Sequence, residues 1–256
     1  MRYVVFNRKG GVGKSTIVCN LAAIHALEGR PTVVVDLDPQ GNATQYLTGS
    51  DAEALQPGLA EYFEGTLGFS LLRSQEDSFQ HPTSVPELSV LPSSPRLQEL
   101  QSKLETRHKI YKLRDLLDRL PHSVDVFIDT PPAVNFFTVS ALIAADSCLI
   151  PFDCDEFSRR ALFQLLETVA EVREDHNPRL AVGGVVVNQF QPRAKLPAQL
   201  VAELREEGLP VLEPYLTSSV KVRESHRAHR PLVQMLPAHK LSEQFRQLHA
   251  ALPGRS

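Results

Sequence analysis

The sequence predicts an α/β fold: a doubly wound, mainly parallel sheet flanked by helices. Three observations lead there. Short runs rich in Val and Ile are apolar at nearly every position, as strands are when both faces are covered. Segments with apolar residues at helical spacing separate them. The two patterns alternate along most of the chain, and such alternation builds a parallel sheet.

Taken in order, the first run is Tyr3–Asn7, followed by a glycine-rich turn and a helical pattern over Lys14–Glu28. Thr32–Asp36 reads as the second strand. Thr66–Pro95 is irregular, with Ser, Gln, Pro and His scattered through it, and reads as a surface excursion carrying one short strand, Leu88–Leu91. A helix is expected over Lys109–Arg119, a strand over Val124–Asp129, a helix over Asn135–Ala145 and a strand over Ser147–Phe152. Ser158–Glu174 and Ala181–Asn188 repeat the pair. Near the end, Leu241, Phe245, Leu248 and Leu252 recur at helical spacing, a helix expected to dock on the body of the domain. With no internal repeat, residues 1–256 read as a single domain, since one core grows to about 250–300 residues before chains split.

Hydrophobic residues make up 42% of the chain, enough to argue against disorder, and the net charge of −3 favours no partner by itself. Cys19, Cys148 and Cys154 form no CxxC pair, so thiols in a reducing cytoplasm are expected. No apolar stretch approaches the roughly 20 residues that span a bilayer, and the apolar run at the start is too short for a signal peptide.

The chemistry sits at strand ends, where open α/β sheets place their sites. Asn7-Arg8-Lys9-Gly10-Gly11-Val12-Gly13-Lys14-Ser15-Thr16 follows a strand and opens a helix, the context a phosphate-binding loop requires. Backbone N–H groups of Gly10, Gly11, Val12 and Gly13 can wrap an anion, and the helix start adds its positive dipole end. Lys14 is expected to bridge the β- and γ-phosphates of ATP, Ser15 to ligate Mg²⁺ and Thr16 to reach the α-phosphate. Asp36 and Asp38, two apart just beyond a strand, can face the same cleft. Asp129 ends another apolar strand, the position from which a carboxylate holds Mg²⁺ through water.

The string Lys9–Thr16, KGGVGKST, resembles the deviant Walker A signature of the ParA and MinD ATPases, although Arg8 stands where the commoner loop has Gly. DLDPQGN, Asp36–Asn42, resembles switch I of ParA proteins, and the TPPA after Asp129 their switch II. The resemblance implies a phosphate-loop NTPase that hydrolyses ATP, slowly alone and faster with a partner. It implies that Lys9 crosses the interface of an ATP-bound homodimer to the partner's phosphates. Asp38 is then the residue that positions or activates the attacking water, and Asp36 contacts the Mg²⁺ shell. Asn188 is implied to hydrogen-bond the adenine, with backbone near Pro214 completing the base pocket, although Glu213 stands where the family has an apolar residue.

Thr217–Arg230 gathers Lys221, Arg223, Arg227 and Arg230 against one acid, Glu224. Such a basic segment in an acidic chain can grip phosphate backbones without sequence choice. ParA proteins bind non-specific double-stranded DNA from this region, which implies the same for Lys221, Arg223 and Arg227, with Arg193 and Lys195 extending the surface. A ParB-like or other adaptor is the implied stimulating partner, and the implied location is the nucleoid in the cytoplasm. No membrane partner is expected, because the last helix has few cations; a MinD-like membrane role is the main alternative. The reductase iron proteins share the loop but hold a cluster with paired cysteines that this chain lacks.

Overall fold

Strands that pair in parallel are far apart in sequence here. The computed structural model describes residues 1–68 and 79–254. Its strands are β1 (Arg2–Val5), β2 (Thr32–Asp36), β3 (His81–Pro82), β4 (Leu88–Leu91), β5 (Asp125–Asp129), β6 (Ser147–Asp153) and β7 (Ala181–Asn188). They form one sheet in the order β3-β4-β2-β5-β1-β6-β7, parallel throughout except for β3, which runs antiparallel to β4. Because the strands are parallel, every chain crossover passes over a face. The carboxyl ends of β1, β2, β5, β6 and β7 consequently share one edge.

The helices are α1 (Lys14–Leu27), α2 (Asn42–Thr48), α3 (Leu59–Leu67), α4 (Arg96–Thr106), α5 (Lys112–Leu117) and α6 (Phe136–Ala144). They continue with α7 (Glu156–Asp175), α8 (Lys195–Glu206), α9 (Val220–Arg227), α10 (Leu232–Met235) and α11 (Lys240–Ala250). Side chains alternate across the sheet, and the core divides accordingly. Val4, Val33, Val35, Val126 and Ile128 face one cluster, with Phe63, Leu100, Phe137 and Leu165 from α3, α4, α6 and α7. Tyr3, Val5, Val34 and Phe127 face the other, with Ile17 and Leu21 of α1 and Phe245 of α11.

The doubly wound class agrees with the expectation, and so does the docking of the last helix. Leu241, Phe245 and Leu248 of α11 are buried, as is Leu252 beyond it. Each such burial contributes about 1.5–3 kcal/mol, which fixes the helix to α1. Cys19 and Cys148 are buried thiols and Cys154 is half-buried. Leu88–Leu91 corrects the reading of its neighbourhood as a surface excursion. It is an inner strand between β2 and β3, with Leu88, Val90 and Leu91 buried. The polar and proline-rich flanks obscured that. Residues 69–78 of the same stretch lie outside the described residues.

Candidate nucleotide site at the strand ends

The turn after β1 is shaped by two glycines. Gly11 has φ +76° and Gly13 φ +89°, left-handed conformations that side chains rarely adopt. A Cβ on Gly13 would also stand 2.4 Å from Asn188 Nδ2. Gly13 is the N-cap of α1 and offers no side-chain acceptor, so the first N–H groups of the helix stay available for an anion. Beside Gly10 and Gly11 the space is open.

β7 braces this loop from the side. Asn188 Nδ2 donates to Val12 O at 2.8 Å, and Gln189 Nε2 donates to Gly11 O at 3.0 Å. Gln189 itself has φ +54°, an uncommon conformation that turns the chain at the strand end. A cavity of about 400 Å³ opens between Gly11, Gly13, Thr16, Asn188 and Gln189 on one side and Thr217–Val220 with Arg223 on the other. Pro214 lies outside that lining, because the chain from Val211 to Thr217 runs alongside β7 and reaches the cavity only at its end.

Lys14 is buried under the loop, and its Nζ donates to Lys9 O at 3.1 Å. Burial lowers its pKa, while Asp129 and Asp38 oppose the shift. Asp36 and Asp129 are register partners on β2 and β5, so the sheet sets the two acids side by side. Asp36 is fully buried and already engaged. Thr44 donates to Oδ2 from N at 2.8 Å and from Oγ1 at 2.7 Å, and Asp38 N donates to Oδ1 at 3.2 Å. Burial outweighs these bonds and pushes its pKa up to about 7. Asp36 thereby shapes the loop that carries Asp38.

Asp38 is nearly buried too, with Oδ1 accepting from Gln40 N at 3.0 Å and its backbone O accepting from Ser93 Oγ at 2.5 Å. Burial raises its pKa against the pull of Gln40 N–H and Lys14. Asp129 is the most exposed to imbalance. It is fully buried, Thr130 N donates to Oδ1 at 3.1 Å, and Oδ2 has no hydrogen-bond partner. Burial and then Asp36 push its pKa well above the carboxylate range, while the nearby Ser15 hydroxyl and the charge of Lys14 work against the rise. An orphaned buried carboxylate oxygen beside a serine hydroxyl fits a hard divalent cation, which would supply the missing charge. Among the described residues no group of three or more His, Cys, Asp or Glu could hold a metal alone. A cation here would take only part of its shell from the chain, as Mg²⁺ does when it bridges to phosphates.

Lys9 lies at the outer lip, 46% exposed, its Nζ 2.5 Å from both Asp153 Oδ2 and Asp155 Oδ2. Hydrogen bonds to Asp153 and Asp155 raise its pKa. The basic segment forms α9, capped by Ser219, whose side chain accepts from Lys221 N. Lys221 pairs with Glu224 at 2.6 Å, whereas Arg223, Arg227 and Arg230 are exposed. Arg193, in the loop after β7, and Lys195, which opens α8, are exposed as well. Thr44, Ser93 and Gln189 belong to the site and carried no signal in the sequence. Ser93 and Gln189 act through backbone oxygens distant along the chain, and Thr44 through the Asp36 carboxylate.

An AAA domain family, AAA_31, matches residues 2–182. The chain is 35% identical over 233 residues to the chromosome partitioning protein ParA of Myxococcus xanthus, covering 90% of this chain and 79% of that protein. It is 29% identical over 246 residues to the sporulation initiation inhibitor protein Soj of Bacillus subtilis, with 94% and 93% covered. The structure of a cobyrinic acid a,c-diamide synthase from Mycobacterium smegmatis with bound ATP analogue and magnesium superposes with a TM-score of 0.82 at 26% identity, over 97% of this chain and 92% of that one. The matched family and these relatives, found for a chain whose strand ends hold a glycine loop, a buried lysine and three acids, show that it belongs to the AAA domain family as a partition ATPase of the ParA/MinD type.

Proposed function

We propose that this partitioning or positioning ATPase works as an ATP-driven dimer switch, gripping DNA without sequence preference in its ATP state and letting go on hydrolysis. The observation that carries the reading is the meeting of Lys14, Asp38 and the orphaned oxygen of Asp129 beneath a loop of open N–H groups. ATP fits the loop with its phosphates on the α1 N-terminus and on Lys14, and with Thr16 at the α-phosphate. Mg²⁺ fits Ser15 and Asp129, with Asp36 fixing the neighbouring loop; when bound it neutralises phosphate charge as the terminal bond breaks. Asp38 orients water, a task of placement that its bonds to Gln40 N and Ser93 Oγ support. The base occupies the cavity beside Asn188.

Lys9 at the outer lip supports a homodimer in which it serves the partner's phosphates. Exposed Arg223, Arg227, Arg193 and Lys195, with Lys221, support a duplex surface, and hence nucleoid association, with a ParB-like or other adaptor stimulating turnover. One continuous sheet supports reading residues 1–256 as one domain. The apolar side of α11 is committed to α1, which disfavours a MinD-like membrane helix. No helix among the described residues is long and apolar enough to cross a membrane.

Light scattering joined to duplex binding tests this. The chain is expected to be monomeric with ADP, and dimeric and duplex-bound with a slowly hydrolysed ATP analogue. Binding should weaken steeply as salt rises and ignore sequence. Lys221→Glu with Arg227→Glu should abolish duplex binding and leave dimerisation intact. Unchanged mass across nucleotides, or duplex affinity indifferent to salt and to both residues, refutes the reading.

A further inference from the structure

Helix α9 carries the exposed cations, but one of its side chains turns the other way, toward the phosphate loop. His226 Nε2 lies 2.9 Å from Thr16 Oγ1. Its ring stacks on Tyr46, with centroids 3.8 Å apart and planes 10° from parallel. Thr16 stands in the first turn of α1, and Tyr46 belongs to α2, the helix entered directly from the Asp38 loop. One imidazole therefore touches the phosphate loop, the segment after Asp38 and the basic helix together.

Its surroundings are fixed. Tyr46 Oη lies 2.7 Å from Ser225 Oγ and accepts from Leu232 N at 3.1 Å. Asn20 Nδ2 donates to Thr16 O at 2.8 Å, tying the same turn of α1 to this cluster. Burial, and then the neighbouring His229, lower the pKa of His226 and favour a neutral ring. In the tautomer with its proton on Nε2, the ring donates to Thr16 Oγ1. The threonine's own proton is then free for an anion in the loop.

We infer that His226 is a positioning residue that ties the pose of the basic helix α9 to what occupies the phosphate loop, through Thr16 on one side and Tyr46 on the other. The inference rests on the ATP-site and duplex readings above. An anion that takes the Thr16 proton polarises that hydroxyl and strengthens the bond it accepts from His226. A filled loop thereby holds α9 more firmly. By linkage, a ligand that prefers the held α9 tightens nucleotide binding by the same factor.

Hydrogen exchange of the α9 amides, in the full chain with and without a slowly hydrolysed ATP analogue, reads this directly. In the wild type the analogue is expected to slow exchange across α9. His226→Phe keeps a ring for Tyr46 but loses the donor. It should bind the analogue up to about threefold more weakly, since only the strengthening of one existing hydrogen bond is lost on binding, and lose the α9 response, with a nucleotide-free melting temperature lowered by no more than one hydrogen bond accounts for. His226→Gln and His226→Met form a second pair of similar size that differs in the donor, and only Gln should retain a response. Equal protection of α9 in the wild type, Phe and Met chains overturns the inference, as does a wild-type α9 that ignores the analogue. Failure of the duplex reading looks different: α9 then responds to nucleotide in the wild type and not in Phe, which upholds the inference, while no chain binds duplex.

Discussion

Lys9 and Asp153 are bound to each other within one chain, Nζ to Oδ2 at 2.5 Å, with Asp155 at the same distance on the other side. The lysine proposed to serve a partner's phosphates is thus held by its own β6. A phosphate arriving from a second copy has to displace two carboxylates. Asp153→Asn with Asp155→Asn is expected to shift the ATP-dependent dimer to lower protein concentration, and Lys9→Ala to remain monomeric with the ATP analogue. Sedimentation velocity over a concentration series checks both. An unchanged midpoint in the double variant would show that the ion pairs do not compete with assembly.

Asp38→Ala should still bind ATP, because Lys14, Ser15 and the loop backbone are untouched. Its turnover should fall by on the order of 10²–10⁴-fold, the usual contribution of a side chain that handles the reacting proton. Single-turnover hydrolysis measures it. A rate within threefold of wild type would move the role to another group.

Gly13→Ala meets two obstacles at once, a backbone at φ +89° and a contact of 2.4 Å with Asn188 Nδ2. The strained conformation alone costs about 1–3 kcal/mol. Denaturant unfolding should show a loss of at least that size, and nucleotide binding should weaken as Asn188 is pushed off Val12. Asn188→Ala in the same chain should recover part of the stability by removing the clash.

On the opposite edge of the sheet, Asp125 accepts from the Met1 amino group at 2.7 Å and lies 2.7 Å from His25 Nε2. Burial works to raise its pKa, but the bonds to the amino group and His25 win and lower it. A carboxyl depressed by folding adds stability above its unfolded pKa, about 3.9, and that stability fades as pH falls through the folded value. Asp125→Asn should therefore be less stable than wild type at pH 7, with the gap closing below about pH 4. Thermal melts across pH 3–7 test the sign.

Sequence reading reached the parts of this molecule that are local. The strands β2 and β7 were read at their observed bounds, because each holds an unbroken Val-rich run, such as Val33–Val35. The loop and its acids were legible because each lies at or just beyond a strand end. Helices α2, α3, α4, α8 and the short α10 were not read. α2 is seven residues long and opens with no acid in its first turn, and α4 is mostly polar with Leu97, Leu100 and Leu104 as its only buried residues. The partners that hold the site were hidden for another reason. Ser93 reaches Asp38 across 55 positions and His226 reaches Thr16 across 210, so only the folded chain brings them together.

The two margins of the sheet bear on how copies of the chain can associate. β3 is two residues long and one is Pro82, which has no N–H to offer an incoming strand. At the other margin, Val211 and Thr217 bridge to Val185 and Phe190 and so occupy part of the outer side of β7. Among the described residues neither margin presents a long row of unpaired backbone groups, so templated strand addition, the route to fibres, is blunted at both. The proposed dimer uses instead the face bearing the nucleotide loop, where a small molecule would make and unmake it.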